Sequence, residues 1–146
     1  MPTTTIFFYG LFMDQALLTG KGFSPEYVGP AVLPDYHIHI GNRATLVRSP
    51  SSKTYGIAMR LRDEEALDLY AEPSVSDYAA EDVRIELLET GELVAAVCYN
   101  LPADGGLEGT NPVYAMRLAE LVTALGFEAS YAREIAAFGG AIGPRT

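Results

Sequence analysis

The chain has 146 residues, which suits one domain over residues 1–146, and its 49% hydrophobic content is ample for a buried core. A formal net charge of −9 with no basic run repels phosphate groups, so we expect binding neither to nucleic acid nor to a membrane surface. The N-terminus lacks a signal-peptide pattern, no run approaches the roughly 20 apolar residues of a membrane helix, and the single cysteine excludes an internal disulfide. We therefore expect a cytoplasmic protein.

The first segment predicts a strand that leads into an unusually apolar loop. Residues 4–9 (TTIFFY) have the composition of a buried strand, and Gly10 then breaks it. The apolar residues 11–13 (LFM) follow, although such a loop normally faces water. The loop is therefore either part of the core or the wall of a pocket. Residues 13–20 (MDQALLTG) predict a short helix that ends at its glycine.

Four further strands are predicted before the middle of the chain. Residues 26–42 (EYVGPAVLPDYHIHIGN) indicate two short strands separated around Pro34, and the second alternates apolar and polar residues as a half-buried strand does. Residues 44–49 (ATLVRS) and 53–61 (KTYGIAMRL) predict two more.

The middle of the chain predicts a short helix and a hairpin. Residues 62–71 (RDEEALDLYA) form the helix, with Asp63 as its cap and two glutamates in its first turn. Residues 81–101 (EDVRIELLETGELVAAVCYNL) form the hairpin, with Thr90-Gly91 at its turn.

Two helices are predicted at the end of the chain. Asn111 and Pro112 are a typical cap and first-turn pair, and the helix that they begin ends at Gly126. A second apolar stripe with helical spacing runs from Phe127 to Phe138. Many strands followed by helices predict an α+β fold with a mostly antiparallel sheet or small barrel.

Common catalytic and cofactor motifs are absent from the sequence. It contains no G-x-G-x-x-G, no P-loop and no G-x-S-x-G. His37 and His39 lie on one strand face and are able to share a metal, but no third ligand is evident, and a polar strand face is the commoner explanation. Cys98, in the middle of a strand, is expected to be a small buried apolar group.

One carboxylate is a candidate general base. Glu72 follows the short helix and precedes Pro73. A carboxylate at the end of a helix and near apolar neighbours is able to have a raised pKa and to accept a proton. A solvated acid in a loop is the commoner interpretation of such a residue.

Taken together, these segments resemble the γ-glutamylcyclotransferase family, including its AIG2-like branch, over nearly the whole chain. Residues 9–13 (YGLFM) lie where the family has Tyr-Gly-Ser and then a hydrophobic residue or asparagine. Residues 67–83 (LDLYAEPSVSDYAAEDV) align without gaps on a Leu-Asp-x-x-Glu-Gly stretch followed by a tyrosine and a strand. Residues 111–135 match the C-terminal Pro-x-Tyr and two-helix tail.

The resemblance implies a fold and a reaction. The fold is a small mixed or antiparallel β-barrel with short helices and two C-terminal helices. In the reaction, the α-amine of a γ-glutamyl amine or peptide attacks its own γ-carbonyl, which gives 5-oxoproline and a free amine. A carboxylate accepts the proton of the amine, and backbone N–H groups hold the oxyanion. The resemblance implies a small-molecule substrate and neither a metal nor a cofactor.

The resemblance also implies a substrate-binding site, although two of its polar positions are changed. The loop serine falls on Leu11 and the following asparagine falls on Phe12. A family tyrosine that contacts the substrate aligns with Tyr114. Tyr78 also matches the family pattern, and a structural role for Tyr78 is equally open. The predicted substrate-binding residues are Tyr9, Gly10, Leu11, Phe12, Tyr78 and Tyr114.

The catalytic glutamate that the family implies falls on Ala71, and Glu72 occupies the next position. On a helix one residue corresponds to a rotation of about 100°, so Glu72 would point in another direction unless the helix end shifts. Three hypotheses remain: a cyclotransferase with Glu72 as its base, a protein of this fold that binds a small molecule without that activity, and a divergent reaction on a γ-glutamyl-like or amide substrate. A monomer and a homodimer are both compatible with the sequence, and residues 11–13 would suit a dimer contact if they were exposed.

Overall fold

A closed barrel of five strands forms the body of the molecule. The computed structural model describes residues 2–102 and 107–140. Around the barrel the strand order is β1-β3-β2-β4-β5, and neighbours are antiparallel except β1 and β5, which run parallel where Ile6 lies opposite Val97. The α+β barrel prediction is confirmed. The strands are β1 (Thr3–Phe8), β2 (Glu26–Ile40), β3 (Ala44–Arg62), β4 (Ala79–Leu87) and β5 (Leu93–Asn100).

Two long helices close the chain, as predicted. The side-chain oxygen of Asn111 accepts the backbone N–H of Tyr114 at 3.1 Å, which caps the first of them, and Gly126 ends it with a φ of 89°. In the part of the chain that the structure describes, no helix is long and apolar enough to cross a membrane. The helices are α1 (Gln15–Gly20), α2 (Asp63–Leu69), α3 (Pro112–Ala124) and α4 (Ala129–Gly140).

The prediction of four short strands between residues 26 and 61 was wrong, because β2 and β3 form one long bent hairpin. Their pairing continues through the two apparent breaks, with Pro34 opposite Lys53 and Tyr36 opposite Arg48. Residues 49–52 of β3 lie between these two pairs and form a bulge opposite Asp35. The backbone N–H of Ser51 donates to the Asp35 carboxylate at 3.2 Å. A bulge bends a strand without ending it.

The predicted start of the first helix was also displaced. Residues Leu11–Met13 form a 3₁₀ turn, and α1 begins only at Gln15 because the Asp14 side chain accepts the N–H of Ala16 at 3.1 Å. Met13 is 2% exposed, and Leu11 and Phe12 are half-buried against the core. This stretch is therefore not an exposed apolar cluster, and the oligomeric state of the protein stays a prediction.

The prediction that Asp63 caps the second helix was wrong. Asp63 is the first helical residue, and Arg62 occupies the cap position. The backbone N–H of Arg62 donates to Oε1 of Glu65 at 3.2 Å, and the backbone N–H of Ser24 donates to Oε2 at 2.9 Å. The nearly buried Glu65 carboxylate therefore ties the start of α2 to the segment after α1.

Candidate functional site

A cavity of about 250 Å³ lies at the carboxyl end of β1. Its walls come from the loop after β1, the start of β3, the segment that follows α2, one residue of β5 and the start of α3. These elements are distant in the sequence and meet because β1 lies between β3 and β5 in the barrel. The lining residues are Phe7, Phe8, Tyr9, Gly10, Leu11, Phe12, Asn42, Arg43, Ala44, Tyr70, Ser74, Val75, Tyr78, Tyr99, Asn111 and Tyr114.

Gly10 is required by a close approach between the loop and α3. A β-carbon built on Gly10 would lie 2.6 Å from the hydroxyl oxygen of Tyr114. The glycine has a φ of −110°, which other residues also adopt, so the turn itself does not demand it. The loop and α3 are thus fitted to each other at Tyr114.

Tyr9 presents its ring to the cavity and uses its hydroxyl elsewhere. The hydroxyl lies 2.7 Å from the Tyr99 carbonyl and 3.0 Å from Oδ1 of Asn100, both of which are acceptors on β5. Burial raises the pKa of Tyr9 well above its ordinary value. The Asn100 oxygen also accepts the backbone N–H of Leu46 at 3.3 Å. Tyr9 therefore helps to join β1 to β5, where the strand pairing is short.

Tyr78 is likewise held by the barrel, beside an ion pair at the edge of the cavity. Its hydroxyl donates to the Ala44 carbonyl at 2.6 Å, and the Arg43 guanidinium lies 5.4 Å from its ring centre. Arg43 donates to both carboxylate oxygens of Asp77, at 2.8 and 2.5 Å. This hydrogen bonding lowers the pKa of Asp77 below its ordinary value. Arg43 therefore adds a positively charged group to the cavity wall, with an exposed partner.

Tyr70 and Tyr114 differ from Tyr9 and Tyr78 because their hydroxyl protons have no acceptor among residues 2–102 and 107–140, and the same is true of Tyr99, the fifth tyrosine of the wall. Tyr70 stacks on Tyr99 with ring centres 3.7 Å apart, and Phe12 meets it edge-on at 6.3 Å. Burial raises the pKa of Tyr70 and that of Tyr114 above the ordinary value of a tyrosine, so each hydroxyl stays a neutral O–H donor at physiological pH. A buried donor without a partner costs about 1–3 kcal/mol. Both hydroxyls are therefore suited to a ligand that supplies an acceptor.

The part of the cavity wall that the structure describes has no acid. Among the described residues, no side chain that lines the cavity carries a carboxylate, and Arg43 is the only cation there. Neither Ala71 nor Glu72 lines it. The Glu72 oxygens lie 3.1 and 3.3 Å from Nζ of Lys21 in a partly exposed ion pair. The structure thus brings the six predicted substrate-binding residues together and leaves Glu72 outside. The binding and catalytic roles of these residues stay predictions.

The remaining candidates for chemistry are structural. Cys98 is fully buried, and burial raises the pKa of its thiol to about 12, so it is not a thiolate at neutral pH. His39 lies 2.9 Å from the Leu107 carbonyl, and the ring of His37 contacts the carbonyl of Ile38 at 3.0 Å. The described part of the chain contains no group of three residues able to hold a metal ion.

Ten of the sixteen residues of the cavity wall were not predicted from the sequence, among them Tyr70, Tyr99 and Arg43. Tyr70, Tyr99 and Arg43 come from a helix end, a strand and the residue before a strand. Tyr70 had a usable signal, because it directly precedes Ala71 in the segment that resembles the family. Tyr99 and Arg43 had none, since an aromatic residue in an apolar strand is typical of a core and a single arginine is typical of a surface.

The chain also matches a family model. Residues 6–116 match the family described as "Gamma-glutamyl cyclotransferase, AIG2-like". The matched region spans β1 to the beginning of α3 and includes every residue that lines the cavity. No curated protein sequence matches the chain.

Solved structures support the fold at low sequence identity. A structure described as "Gamma-glutamyl cyclotransferase" is 17% identical, with a TM-score of 0.79 over 92% of this chain and 87% of the other. An uncharacterized protein from Homo sapiens is 18% identical, with a TM-score of 0.76 over 94% and 88%. YkqA from Bacillus subtilis is 20% identical, with a TM-score of 0.74 over 96% of this chain and 55% of its own. At these identities the likeness concerns the fold alone, and the family match identifies the chain: it belongs to the AIG2-like gamma-glutamyl cyclotransferase family.

Proposed function

We propose that this protein binds a small molecule in the cavity beside Gly10 and does not form 5-oxoproline. The observation that carries the proposal is the composition of the cavity wall, which among the described residues holds aromatic rings and one guanidinium but no carboxylate. Small-molecule sites are typically concave and mostly apolar, with a few polar groups that fix the ligand. The cavity wall has this composition.

The proposed absence of cyclotransferase activity follows from the proton transfer that the reaction requires. The α-amine of a γ-glutamyl compound is mostly protonated near neutral pH, with an ordinary pKa of about 8. It must lose a proton before it attacks. The tyrosines of the wall are neutral acids, and a guanidinium stays protonated in proteins, so neither accepts that proton at neutral pH. A missing general base lowers the rate by roughly 10²–10⁴.

A second candidate function is cyclotransferase activity with Glu72 as the base. Family membership favours it, and so does the position of Glu72 directly after Ala71, where the resemblance implies a glutamate. For this activity the Lys21–Glu72 ion pair must open and the carboxylate must turn towards the cavity. An exposed ion pair is worth about 0–1 kcal/mol, so its opening is a small obstacle compared with the reorientation of the segment.

One assay separates the two candidates. The protein is incubated with γ-glutamyl amines, γ-glutamyl dipeptides and glutathione, and 5-oxoproline is measured. We expect no product above the protein-free background. Product that disappears in Glu72→Gln but persists in Glu64→Gln would replace our proposal with the second candidate. Glu64 is a matched control because it also forms an exposed ion pair, with Arg62 at 2.9 Å. Product that persists in Glu72→Gln would contradict both candidates.

Binding itself is tested with a fragment library and NMR of the protein. The proposal expects ligands whose chemical-shift changes are centred on the cavity. Gly10→Val should abolish these changes, since its side chain would displace the Tyr114 hydroxyl. Gly20→Val is the control, because a β-carbon at Gly20 meets no atom within 4 Å. A library without any hit at the cavity, or hits that persist in Gly10→Val, would overturn the proposal.

A further inference from the structure

Several polar groups in the described part of the cavity wall are hydrogen-bond donors that the chain leaves free. The hydroxyls of Tyr9 and Tyr78 already donate to acceptors of the chain. The side chain of Asn111 is used as well, since its oxygen caps α3 and its nitrogen donates to the Asn42 carbonyl at 3.1 Å. The hydroxyl protons of Tyr70, Tyr99 and Tyr114 remain without an acceptor within the described residues, and the hydroxyls of Tyr70 and Tyr114 are the more deeply buried of the three. A ligand that satisfies them must bring acceptor atoms, such as carboxylate or carbonyl oxygens.

The charge of the wall favours a negative ligand. Arg43 lines the cavity and has side-chain exposure of 39%, so it is able to turn from Asp77 towards a bound anion. A ligand ammonium group would have no carboxylate partner among the described residues of the wall. A buried charge without a partner is strongly disfavoured. An amino acid or γ-glutamyl zwitterion is therefore a poor fit, even where its carboxylate fits well.

The apolar residues of the cavity wall determine the chemical character and the size of the rest of the ligand. Phe8, Leu11, Phe12 and Val75 line the cavity, and Phe8 and Phe12 meet edge-to-face with ring centres 6.1 Å apart. An apolar protein cavity of about 150 Å³ is able to hold benzene. A cavity of about 250 Å³ therefore has room for one ring and a short chain that carries a carboxylate.

We propose that the ligand is a monocarboxylate with a flat apolar body and no ammonium group, with its carboxylate bound by Arg43 and by the hydroxyls of Tyr70 and Tyr114. This inference rests on the proposed binding function and gives it a ligand class. It departs from the γ-glutamyl substrates that the family name implies, because those carry an α-ammonium group.

The test compares four probes of nearly the same shape: 3-phenylpropionate, 3-phenylpropanamide, 3-phenylpropylamine and phenylalanine. Phenylalanine differs from 3-phenylpropionate only by its α-ammonium group. The chain has no tryptophan, and five of its nine tyrosines line the cavity, so a change in tyrosine fluorescence is able to report binding there. We expect 3-phenylpropionate to bind about tenfold or more tightly than phenylalanine and than the amine, with the amide between them.

Variants of the ion pair test the role assigned to Arg43. Arg43→Gln should bring the affinity for the propionate down to that for the amide, and Asp77→Asn should strengthen propionate binding, because Arg43 then loses its competing partner. Arg60→Gln is the control, since Arg60 pairs with Glu26 away from the cavity wall. Arg60→Gln should change neither the affinity for 3-phenylpropionate nor that for 3-phenylpropanamide.

The outcomes distinguish this inference from the proposed function. If the amine or phenylalanine binds as tightly as the propionate, the inference is overturned while binding in the cavity stands. The inference is also overturned, and binding in the cavity again stands, if Arg43→Gln and Arg60→Gln change the affinity for 3-phenylpropionate equally. If none of the four probes binds up to its solubility limit, the ligand class is wrong, and the fragment screen with Gly10→Val decides separately whether the cavity binds any small molecule.

Discussion

Two buried polar regions of this molecule differ in where their hydrogen-bond partners come from. At the start of α2, the Glu65 carboxylate is 4% exposed and is satisfied by the chain itself, through the N–H groups of Ser24 and Arg62. In the cavity, the hydroxyl protons of Tyr70 and Tyr114 have no acceptor within the described residues. Groups that the chain satisfies contribute to stability, whereas groups that it leaves without a partner favour a ligand. Mutations in the two regions should therefore change different measurements.

The largest effect is expected from Glu65→Ala, which removes the acceptor of two backbone N–H groups. Hydrogen bonds to charged groups contribute about 1.5–3 kcal/mol each, and water will replace part of this, so we expect a loss of about 2–4 kcal/mol in the free energy of unfolding. Urea denaturation measures it. Glu64→Ala removes a neighbouring exposed glutamate and should change the free energy by less than about 0.5 kcal/mol. Equal effects of the two substitutions would contradict the structural role of Glu65.

The same region predicts a pH dependence of stability. Burial alone would raise the pKa of Glu65, but hydrogen bonds from Ser24 and Arg62 outweigh it, so the pKa is lowered from its ordinary value of 4.5. The stabilisation is therefore complete above pH 4.5 and is lost as the pH falls through the lower pKa of the folded state. Near pH 7 we expect the free energy of unfolding of the native protein to be about 1 kcal/mol higher than that of Glu65→Gln.

Urea denaturation of both proteins at several pH values measures this difference. It should shrink as the solution becomes more acidic than pH 4.5. A difference that is constant over this range, or that grows with acidification, would mean that the charge of Glu65 is not what stabilises the helix start.

The sequence predicted those parts of the fold whose signals are local. The Thr90-Gly91 turn defined the β4–β5 hairpin, and Asn111-Pro112 defined the start of α3. The long β2–β3 hairpin was divided wrongly because Pro34-Asp35 has the composition of a strand end. In the folded chain, Asp35 instead accepts a hydrogen bond from Ser51 across the bulge. That partner is 16 residues away, so no local pattern shows it.

The candidate site was predictable only where the family resemblance reached it. Gly10 and Tyr114, which are distant in the sequence, were both predicted through the resemblance, and the structure places them in contact. Tyr99 lies in the cavity wall because β5 pairs with β1 and closes the barrel. Arg43 lies there because β3, which begins at the next residue, pairs with β1 as well. Both pairings join residues that are far apart in the sequence. Whether a tyrosine hydroxyl is used by the chain is also a property of the fold, and composition does not reveal it.

Gly10→Ala should affect ligand binding more than stability. A β-carbon at this position would lie 2.6 Å from the Tyr114 hydroxyl oxygen but 3.9 Å from the ring carbon that bears it, so the collision is with the oxygen alone and a small shift of the Tyr114 side chain relieves it. We expect about tenfold weaker binding of 3-phenylpropionate, which corresponds to about 1.4 kcal/mol. In a Tyr114→Phe background the same substitution should cost little more, because the colliding atom is gone. A full tenfold loss in that background would place the effect outside this contact.

The smallest change in stability, and the sharpest contrast, is expected from removing single hydroxyl groups. Tyr9→Phe should cost about 1 kcal/mol or more in the free energy of unfolding, because the Tyr9 hydroxyl donates to acceptors on β5 and its loss leaves them without that donor. Tyr70→Phe should not lower the free energy of unfolding and should raise it by about 1 kcal/mol, because it removes a donor that has no acceptor among the described residues, and it should weaken 3-phenylpropionate binding several-fold. Urea denaturation and fluorescence titration of both variants give the comparison directly. If Tyr70→Phe destabilises the protein as much as Tyr9→Phe while ligand affinity is unchanged, the Tyr70 hydroxyl belongs with the groups that hold the fold, and the carboxylate site loses one of its donors.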